Sequence, residues 1–159
     1  METTTLNSGD FAPQFCLTAT GGADIALPDP AGKQTVLFFY PRDNTPGCTN
    51  EARDFTALLG DFERANTSVF GISADSLRKH ENFIAKAELG LRLISDPEML
   101  ACKAYGVWAE KKMYGKSFWG IIRTTFLIGA NGRFLRIWPK VKVPGHAAQV
   151  LAQVQNPQQ

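Results

Sequence analysis

The hydrophobic positions of the chain follow two spacings, one typical of strands and one typical of helices. Runs rich in β-branched and aromatic residues, at 35–40, 68–73 and 91–95, predict short strands, the first two of them buried on both faces. Apolar residues that recur every three or four positions, at 52–62, 77–87 and 147–154, predict amphipathic helices. We expect Asp75 to cap the middle helix and Gly90 to end it.

The rest of the chain predicts shorter elements. Gly, Pro and Asp are frequent up to Lys33 and indicate short strands and turns, and Pro97 begins a short helix that runs through Tyr105. Two apolar runs, 124–129 and 134–138, flank an Asn-Gly pair, which is a strong hairpin signal. This order of elements is typical of a three-layer α/β domain with a mixed sheet, and we expect one domain over residues 1–159.

Charge and composition narrow the functional classes. The 17 Lys and Arg residues nearly balance the 15 Asp and Glu residues, so nucleic acid is not expected as a partner. The first residues lack the basic and apolar regions of a signal peptide, and no apolar run is long enough to cross a membrane. We therefore expect a cytoplasmic protein without a membrane partner.

Three widely spaced cysteines, Cys16, Cys48 and Cys102, fit neither a disulfide framework nor a zinc site. The two histidines, His80 and His146, lie far from them in sequence, so no metal is expected. We expect His80 to be at the surface or hydrogen-bonded, and we assign His146 no chemistry.

Cys48 lies where a thiol can become reactive. Thr45 is a good N-cap and Pro46 suits the first helical position, which places Cys48 in the first turn of a helix. The unpaired amides and the positive dipole end there favour thiolate over thiol. The loop also follows the carboxyl end of a central strand, where open α/β sheets place their ligands. From the residues alone, a reactive thiol and a small buried apolar side chain remain equally open.

Several ordered blocks add a family resemblance. Pro41, Thr45 and Cys48 form P-x-x-x-T-x-x-C, which resembles the peroxiredoxin signature, and FFYPRDNTPGCTNEARDF is similar to the Q branch, the bacterioferritin comigratory proteins. GDFAPQF, ISDPEMLACKAYGVW, EKKMYGKSFWGIIRTTFLI and KVKVPGHAAQVL resemble further family blocks in the same order. The resemblance implies a thioredoxin-like fold, three-layer, with a mixed central β-sheet flanked by helices.

The resemblance also implies a function and a site. It implies reduction of hydrogen peroxide and organic hydroperoxides without metal, haem or flavin, with Cys48 as the nucleophile that becomes a sulfenic acid. Thr45 would contact the thiolate and orient the peroxide, Pro41 would wall the pocket, and Arg123 would stabilise the thiolate and bind the peroxide. Glu51 would hold Arg123. The alternatives are that Thr45 only caps, Pro41 only turns the chain and Arg123 is solvated.

The sequence departs from the family where the sulfenic acid is resolved. Arg53 stands five residues after Cys48, where many members carry a second cysteine, and residues 75–90 contain none. We expect Cys16 and Cys102 to be buried and unreactive, which favours a one-cysteine mechanism; the alternative is that Cys102 or Cys16 resolves the sulfenic acid. Thioredoxin, glutaredoxin with glutathione, or another small thiol would be the reductant. Because Q-type members are often monomers, we expect a monomer.

For two other groups of side chains, the sequence leaves two alternative roles. The aromatic residues Trp108, Tyr114, Phe118 and Trp119 either form a wall of the site or only pack, and the lysines of EKKMYGK and PKVKV either dock an acidic redox partner or are only solvated. A thioredoxin-like disulfide reductase is disfavoured because the chain has no CxxC. A non-enzymatic redox sensor or interaction domain is disfavoured because the whole signature is present.

Overall fold

The computed structural model describes residues 4–157, which form nine strands and five helices in that range. In chain order they are β1 (Phe15–Leu17), β2 (Ile25–Leu27), β3 (Gln34–Phe39), α1 (Pro46–Ala57), α2 (Leu59–Arg64), β4 (Thr67–Ser73), α3 (Leu77–Ala87), β5 (Arg92–Ser95), α4 (Leu100–Ala104), β6 (Trp108–Met113), β7 (Lys116–Ile121), β8 (Thr124–Ile128), β9 (Phe134–Trp138) and α5 (His146–Gln155). The predicted succession of strands and helices from β3 to α5 is present, with a second helix after α1 and the β6–β7 hairpin in addition.

A mixed five-stranded sheet organises the fold. Its strand order is β5-β4-β3-β8-β9; β3, β4 and β5 are parallel, β8 runs antiparallel to β3, and β9 runs antiparallel to β8. The parallel strands are joined by helical crossovers, as parallel pairs require. Strands β1 and β2 form a separate antiparallel pair, and so do β6 and β7. The predicted thioredoxin-like fold with a mixed sheet is confirmed, and the solved structures reported below agree with it.

Strand β3 shows why the sheet has a core on each face. Alternate side chains of a strand point to opposite faces, and every residue from Thr35 to Tyr40 is buried. Val36, Phe38 and Tyr40 pack with helices α1, α3 and α5 on one face. Leu37 and Phe39 pack on the other face with α4, β8 and the β1–β2 pair. The continuous apolar run of β3 is therefore the pattern of a central strand covered on both sides.

Several predicted boundaries are wrong, each for a local reason. The helix predicted over 52–62 is two helices, because the chain breaks at Leu58. Ser76, not Asp75, caps α3, and its side chain accepts a hydrogen bond from the Lys79 amide at 3.2 Å. Helix α3 ends at Ala87, and Glu88, with φ of 57°, terminates it before Gly90 is reached. The helix expected from Pro97 begins only at Leu100.

The β6–β7 hairpin is absent from the prediction. Its residues are mostly exposed, so they lack the apolar runs that mark the central strands. Gly115, with φ of 74°, and Tyr114, with φ of 54°, form the turn. Of the five helices among residues 4–157, none combines the length and the hydropathy that a membrane crossing needs.

Candidate active site

Cys48 lies in the first turn of α1, as predicted. Thr45 is the N-cap residue, Pro46 takes the first helical position, and the Thr49 amide donates to the Thr45 carbonyl at 2.9 Å. Only 1% of Cys48 is exposed, and its side chain packs in the core beside Ala52 and Phe55. The thiol therefore lies at the positive end of the α1 dipole, largely shielded from solvent.

The pairing of β3 with β8 brings Arg123 to this thiol. Phe39, at the carboxyl end of β3, pairs with Thr124, the first residue of β8. Because the two strands are antiparallel, the residue before Thr124 lies beside the loop that follows β3. Arg123 thus reaches the start of α1 from a point 75 residues further along the chain.

The guanidinium of Arg123 contacts both Cys48 and Glu51. Its Nη2 lies 3.3 Å from Sγ of Cys48, and its Nη1 donates to Oε1 of Glu51 at 2.7 Å. Cys48 and Glu51 are three residues apart on α1, so they lie on the same face of the helix. The Arg123 side chain is 17% exposed, so the alternative that it is a solvated residue is not what the structure shows.

Glu51 is a buried carboxyl with one unpaired oxygen. Its side chain is 1% exposed, and no donor among residues 4–157 reaches Oε2. Burial raises the pKa of Glu51 to about 7, although the charge and hydrogen bond of Arg123 act in the opposite direction. The carboxyl therefore changes its charge near neutral pH while it holds the arginine.

Thr45 and Pro41 flank the thiol in different ways. The Thr45 hydroxyl donates to the Arg42 carbonyl at 2.9 Å, and its side chain caps no amide of the first turn. The contact between Thr45 and the thiol that the resemblance implied is thus not formed in this conformation. Pro41 is half-buried at the edge of a surface groove beside the site.

A buried polar cluster holds the loop between β3 and α1. The Tyr40 hydroxyl donates to Asp43 at 2.6 Å, and the other Asp43 oxygen lies 2.7 Å from Nδ1 of His80. Nε2 of His80 lies 2.9 Å from the Ile94 carbonyl, and the Asp43 amide donates to Asp75 at 2.8 Å. His80 is fully buried, and each ring nitrogen has a partner, so its predicted hydrogen-bonded state is confirmed.

The same cluster offers carboxylate and imidazole ligands within reach of one another. One atom each from Asp43, Asp75 and His80 lies within 4.8 Å of the other two. Each of these groups already hydrogen-bonds within the protein, so a metal ion would have to break the contacts that hold the loop. The donor set therefore fits a structural role better than a metal site.

Lys111 and His146 lie around Arg123. Nζ of Lys111 donates to the Ile121 carbonyl at 2.7 Å; burial lowers the pKa of Lys111, Arg123 lowers it further, and Cys48 opposes both effects. Burial and the charge of Arg123 lower the pKa of His146 to about 4, while its Nε2 lies 2.8 Å from the Thr125 hydroxyl. Neutral His146 thus packs beside the site without adding charge at neutral pH.

The other two cysteines differ from each other. Cys102 is fully buried, and burial followed by the nearby Asp96 carboxylate raises the pKa of its thiol far above the usual range. Cys16, expected to be buried, is exposed, because Phe15 and Leu17 point inward and the residue between them on the strand points outward. Cys102 thus has the environment of an unreactive thiol, whereas burial does not protect Cys16.

Sequence reasoning missed three features of the site. The first is the contact between Asp43 and His80: in the sequence Asp43 resembles an ordinary turn residue, and the two residues meet only in the folded chain. Lys111 is one of the EKKMYGK lysines, but the hairpin that brings it close to Arg123 was not predicted. Gly47 has no φ constraint, but a Cβ there would lie 3.3 Å from Nη2 of Arg123. The one local signal was the spacing of Cys48 and Glu51 on one helix face.

Comparison with known proteins agrees with this arrangement. The sequence profile of the AhpC/TSA family matches residues 8–136. Peroxiredoxin Bcp of Xanthomonas campestris pv. campestris is 46% identical over 136 residues, which cover 86% of this chain and 85% of that protein. Peroxiredoxin Bcp of Bacillus subtilis is 42% identical over 147 residues, covering 92% and 94% of the two chains.

Solved structures match over nearly the whole length. The Xanthomonas campestris bacterioferritin comigratory protein, studied for its alkyl peroxide reduction activity, superposes with a TM-score of 0.87 at 41% identity, covering 95% of this chain and 97% of that one. A cysteine-to-serine mutant of Xylella fastidiosa PrxQ gives a TM-score of 0.91 at 39% identity, with 98% and 99% covered.

Proposed function

Since the chain belongs to the AhpC/TSA family and is a Q-type peroxiredoxin, a thiol-dependent peroxidase, we propose that Cys48 is its peroxidatic residue. The observation that carries this proposal is the Arg123 guanidinium, which lies 3.3 Å from Sγ of Cys48 and is held by Glu51. The substrates are hydrogen peroxide and organic hydroperoxides. The alkyl peroxide reduction activity described for the Xanthomonas relative supports the second class.

In the oxidation step, the Cys48 thiolate attacks one peroxide oxygen. The S–O bond forms as the O–O bond breaks, and the leaving oxygen takes a proton to become water or an alcohol. Negative charge develops on that oxygen, and donors already in place stabilise it best. Arg123 and the Cys48 backbone amide are the donors nearest the sulfur in this proposal, and the Arg123 fork can contact both the sulfur and the peroxide.

Thr45 and Pro41 complete the proposed site. A rotation of the Thr45 side chain would release the Arg42 carbonyl and direct the hydroxyl toward the peroxide. Pro41, at the edge of the surface groove, limits the entry of water. The catalytic group is therefore Cys48 with Arg123 and Thr45, Pro41 shapes the pocket, and Glu51 positions Arg123.

An external thiol then reduces the sulfenic acid in a one-cysteine cycle. Cys102 is buried and keeps its proton, and Cys16 lies on the exposed face of the separate β1–β2 pair. The first thiol forms a mixed disulfide with Cys48 and releases water; a second thiol releases the disulfide product and restores Cys48. Thioredoxin, or glutaredoxin with glutathione, supplies these thiols.

The proposed cycle also suggests a cellular compartment and an oligomeric state. A reducing compartment such as the cytoplasm would supply the thiols and keep three unpaired cysteines reduced. The proposed site combines the first turns of α1 with Arg123, the residue before β8, so the side chains of one protomer suffice for it and a monomeric single domain is proposed. Size-exclusion chromatography with light scattering tests the monomer.

Stopped-flow mixing of reduced protein with hydrogen peroxide tests the assignment of Cys48. We expect rapid oxidation in the wild type and none in Cys48→Ser, with the Cys16→Ser and Cys102→Ser variants matching the wild type. A wild-type reaction as slow as that of an ordinary exposed thiol would instead favour the redox-sensor alternative.

A further inference from the structure

A surface groove adjoins the proposed site, and Pro41 is the one lining residue to which the proposed oxidation step assigns a role. It lies between the β6–β7 hairpin and the loops that follow β3 and β4, and its volume is about 490 Å³. We call it the hairpin groove. Pro41, Lys111 and Ile121 are among the residues that line it. Ile121 lies two residues before Arg123 in the sequence, so this part of the groove is next to the proposed site. A volume of this order suits a small molecule rather than a hydrogen peroxide molecule alone.

The hairpin groove carries net positive charge. Arg42, Lys79 and Lys111 line it, and Asp75 is the one acidic lining residue. Asp75 already accepts hydrogen bonds from the Asp43 amide and the Ser73 hydroxyl. Within residues 4–157, neither Arg42 nor Lys79 forms an ion pair, so both cations are available to an anionic molecule.

Aromatic residues also line the hairpin groove. Phe118 and Trp119 line the hairpin groove and are 43% and 60% exposed, and Trp108 lies beside them, half-buried. Aromatic residues that stay exposed on a monomer commonly mark a binding surface. A groove lined by exposed aromatic residues and by two cations without ion-pair partners among residues 4–157 fits a small molecule that has carboxylates and an apolar stem.

Cys48 has two reactants, and the groove must be assigned to one of them. The peroxide reacts directly at Sγ, beside Arg123. The reducing thiol must come from outside, because Cys102 is buried and Cys16 is on a different sheet. We propose that the hairpin groove binds an anionic low-molecular-weight thiol of the glutathione class, with its carboxylates at Arg42 and Lys79. This inference rests on the proposed function and specifies the reductant.

Reduction of the sulfenic acid consumes two thiols. The thiolate sulfur of the bound molecule attacks the sulfenic sulfur of Cys48; an S–S bond forms, the S–O bond breaks, and the departing hydroxide takes one proton to become water. A second thiolate attacks the sulfur of the first thiol in the mixed disulfide and releases the Cys48 thiolate. Two thiols are oxidised to one disulfide for each sulfenic acid reduced.

The test measures the reduction rate of preformed Cys48 sulfenic acid with thiols of different charge. The probes are glutathione, glutathione diethyl ester, neutral β-mercaptoethanol and cationic cysteamine. The test variant is Arg42→Glu/Lys79→Glu. Arg78→Glu is the matched control, because Arg78 is an exposed cation on the same helix as Lys79 and does not line the groove.

Charge reversal should slow reduction by glutathione about tenfold, the effect expected from the loss of two exposed ion pairs, and should leave reduction by β-mercaptoethanol unchanged. Cysteamine should react faster, and the diethyl ester should lose most of its sensitivity to the variant. Arg78→Glu should behave as the wild type. Substitution of Arg42 keeps the backbone carbonyl that Thr45 contacts, so the helix start is not directly changed.

Three results would overturn the inference. One is an equal loss of rate with charged and neutral thiols. A second is a variant that slows oxidation by a carboxylate-bearing hydroperoxide while reduction by glutathione is unchanged, which would assign the groove to the peroxide. The third is a sulfenic acid that thioredoxin or glutaredoxin reduces but glutathione does not. If no sulfenic acid forms at all, the proposed function itself has failed, before this step is reached.

Discussion

Nη2 of Arg123 lies 3.3 Å from Sγ of Cys48 although 75 residues separate the two in sequence. The same guanidinium donates to Glu51 at 2.7 Å through Nη1. One planar fork therefore contacts the proposed nucleophile and the Glu51 carboxyl at once, which a lysine ammonium cannot do in the same geometry. The contact places a fixed positive charge beside the Cys48 thiol.

Arg123→Lys should keep the positive charge and lose the fork. A charge-assisted hydrogen bond contributes about 1.5–3 kcal/mol, so we expect the second-order rate constant with hydrogen peroxide to fall about ten- to hundredfold. Stopped-flow kinetics measures it. Arg78→Lys, on an exposed helix face, is the control and should leave the rate unchanged. An unaltered rate in Arg123→Lys would show that charge alone suffices.

Glu51→Gln should raise the stability of the protein at neutral pH and lower its rate of reaction with peroxide. The pKa of Glu51 is about 7 in the folded protein and 4.5 in its ordinary state, so its protonated form favours folding. That stability is fully present below pH 4.5 and is lost as the pH rises through 7. Glutamine cannot ionise. The free energy of unfolding of the variant, relative to wild type, should therefore rise between pH 4.5 and 8 by about 2–3 kcal/mol.

Urea unfolding at several pH values checks this trend, and the peroxide rate of the variant should fall because Arg123 loses its charged anchor.

His146 has the opposite effect on the pH dependence of stability. Its pKa falls from 6.5 to about 4, so the stability it contributes is present above pH 6.5 and is lost as the pH falls through 4. In the Glu51→Gln variant, where the effect of Glu51 is gone, the free energy of unfolding should therefore rise as the pH increases from 4 to 6.5. A pH-independent difference between variant and wild type would contradict the account.

Gly47→Ala should slow the reaction without destabilising the helix. Gly47 lies in the first turn of α1 without a positive φ, so alanine fits the backbone and should raise stability by up to about 1 kcal/mol. Its new Cβ would lie 3.3 Å from Nη2 of Arg123 and press the guanidinium away from the thiol. We expect a severalfold lower peroxide rate at an unchanged or higher Tm. If rate and Tm fell together, crowding of Arg123 would not be the cause.

Asp43→Asn should loosen the loop that precedes Cys48. The substitution keeps the shape of the side chain but removes the carboxylate that faces His80 and Tyr40. Because an unpaired buried polar group costs about 1–3 kcal/mol, Tm should fall by about 5–10 °C. Asp54→Asn, on an exposed position of α1, should leave Tm unchanged. Differential scanning calorimetry compares the two, and equal Tm values would mean that the cluster does not hold the loop.

The sequence predicted the parts of the site that are local. The apolar run of β3, the proline at the first position of α1 and the first-turn place of Cys48 depend on neighbouring residues, and all are confirmed. The resemblance supplied Arg123, which spacing alone could not pair with Cys48. That pairing depends on the register of β3 against β8, a non-local property that no short stretch encodes.

The missed parts depend on competition between neighbours or on exposed residues. Ser76 rather than Asp75 caps α3, because Asp75 is instead engaged by the Asp43 amide and the Ser73 hydroxyl. The β6–β7 hairpin has few buried residues, so its pattern did not resemble a strand. The groove it forms therefore became visible only in the folded chain.

The central claim is that Cys48 alone carries the oxidation and waits for an external thiol. Intact mass and a free-thiol count, after one equivalent of hydrogen peroxide, test it most directly, with Cys48→Ser as control. We predict a gain of one oxygen atom, trapped by a sulfenic-acid reagent, in the wild type only. Loss of two hydrogens with two thiols consumed would contradict the one-cysteine cycle, and equal behaviour of the two proteins would contradict the role of Cys48.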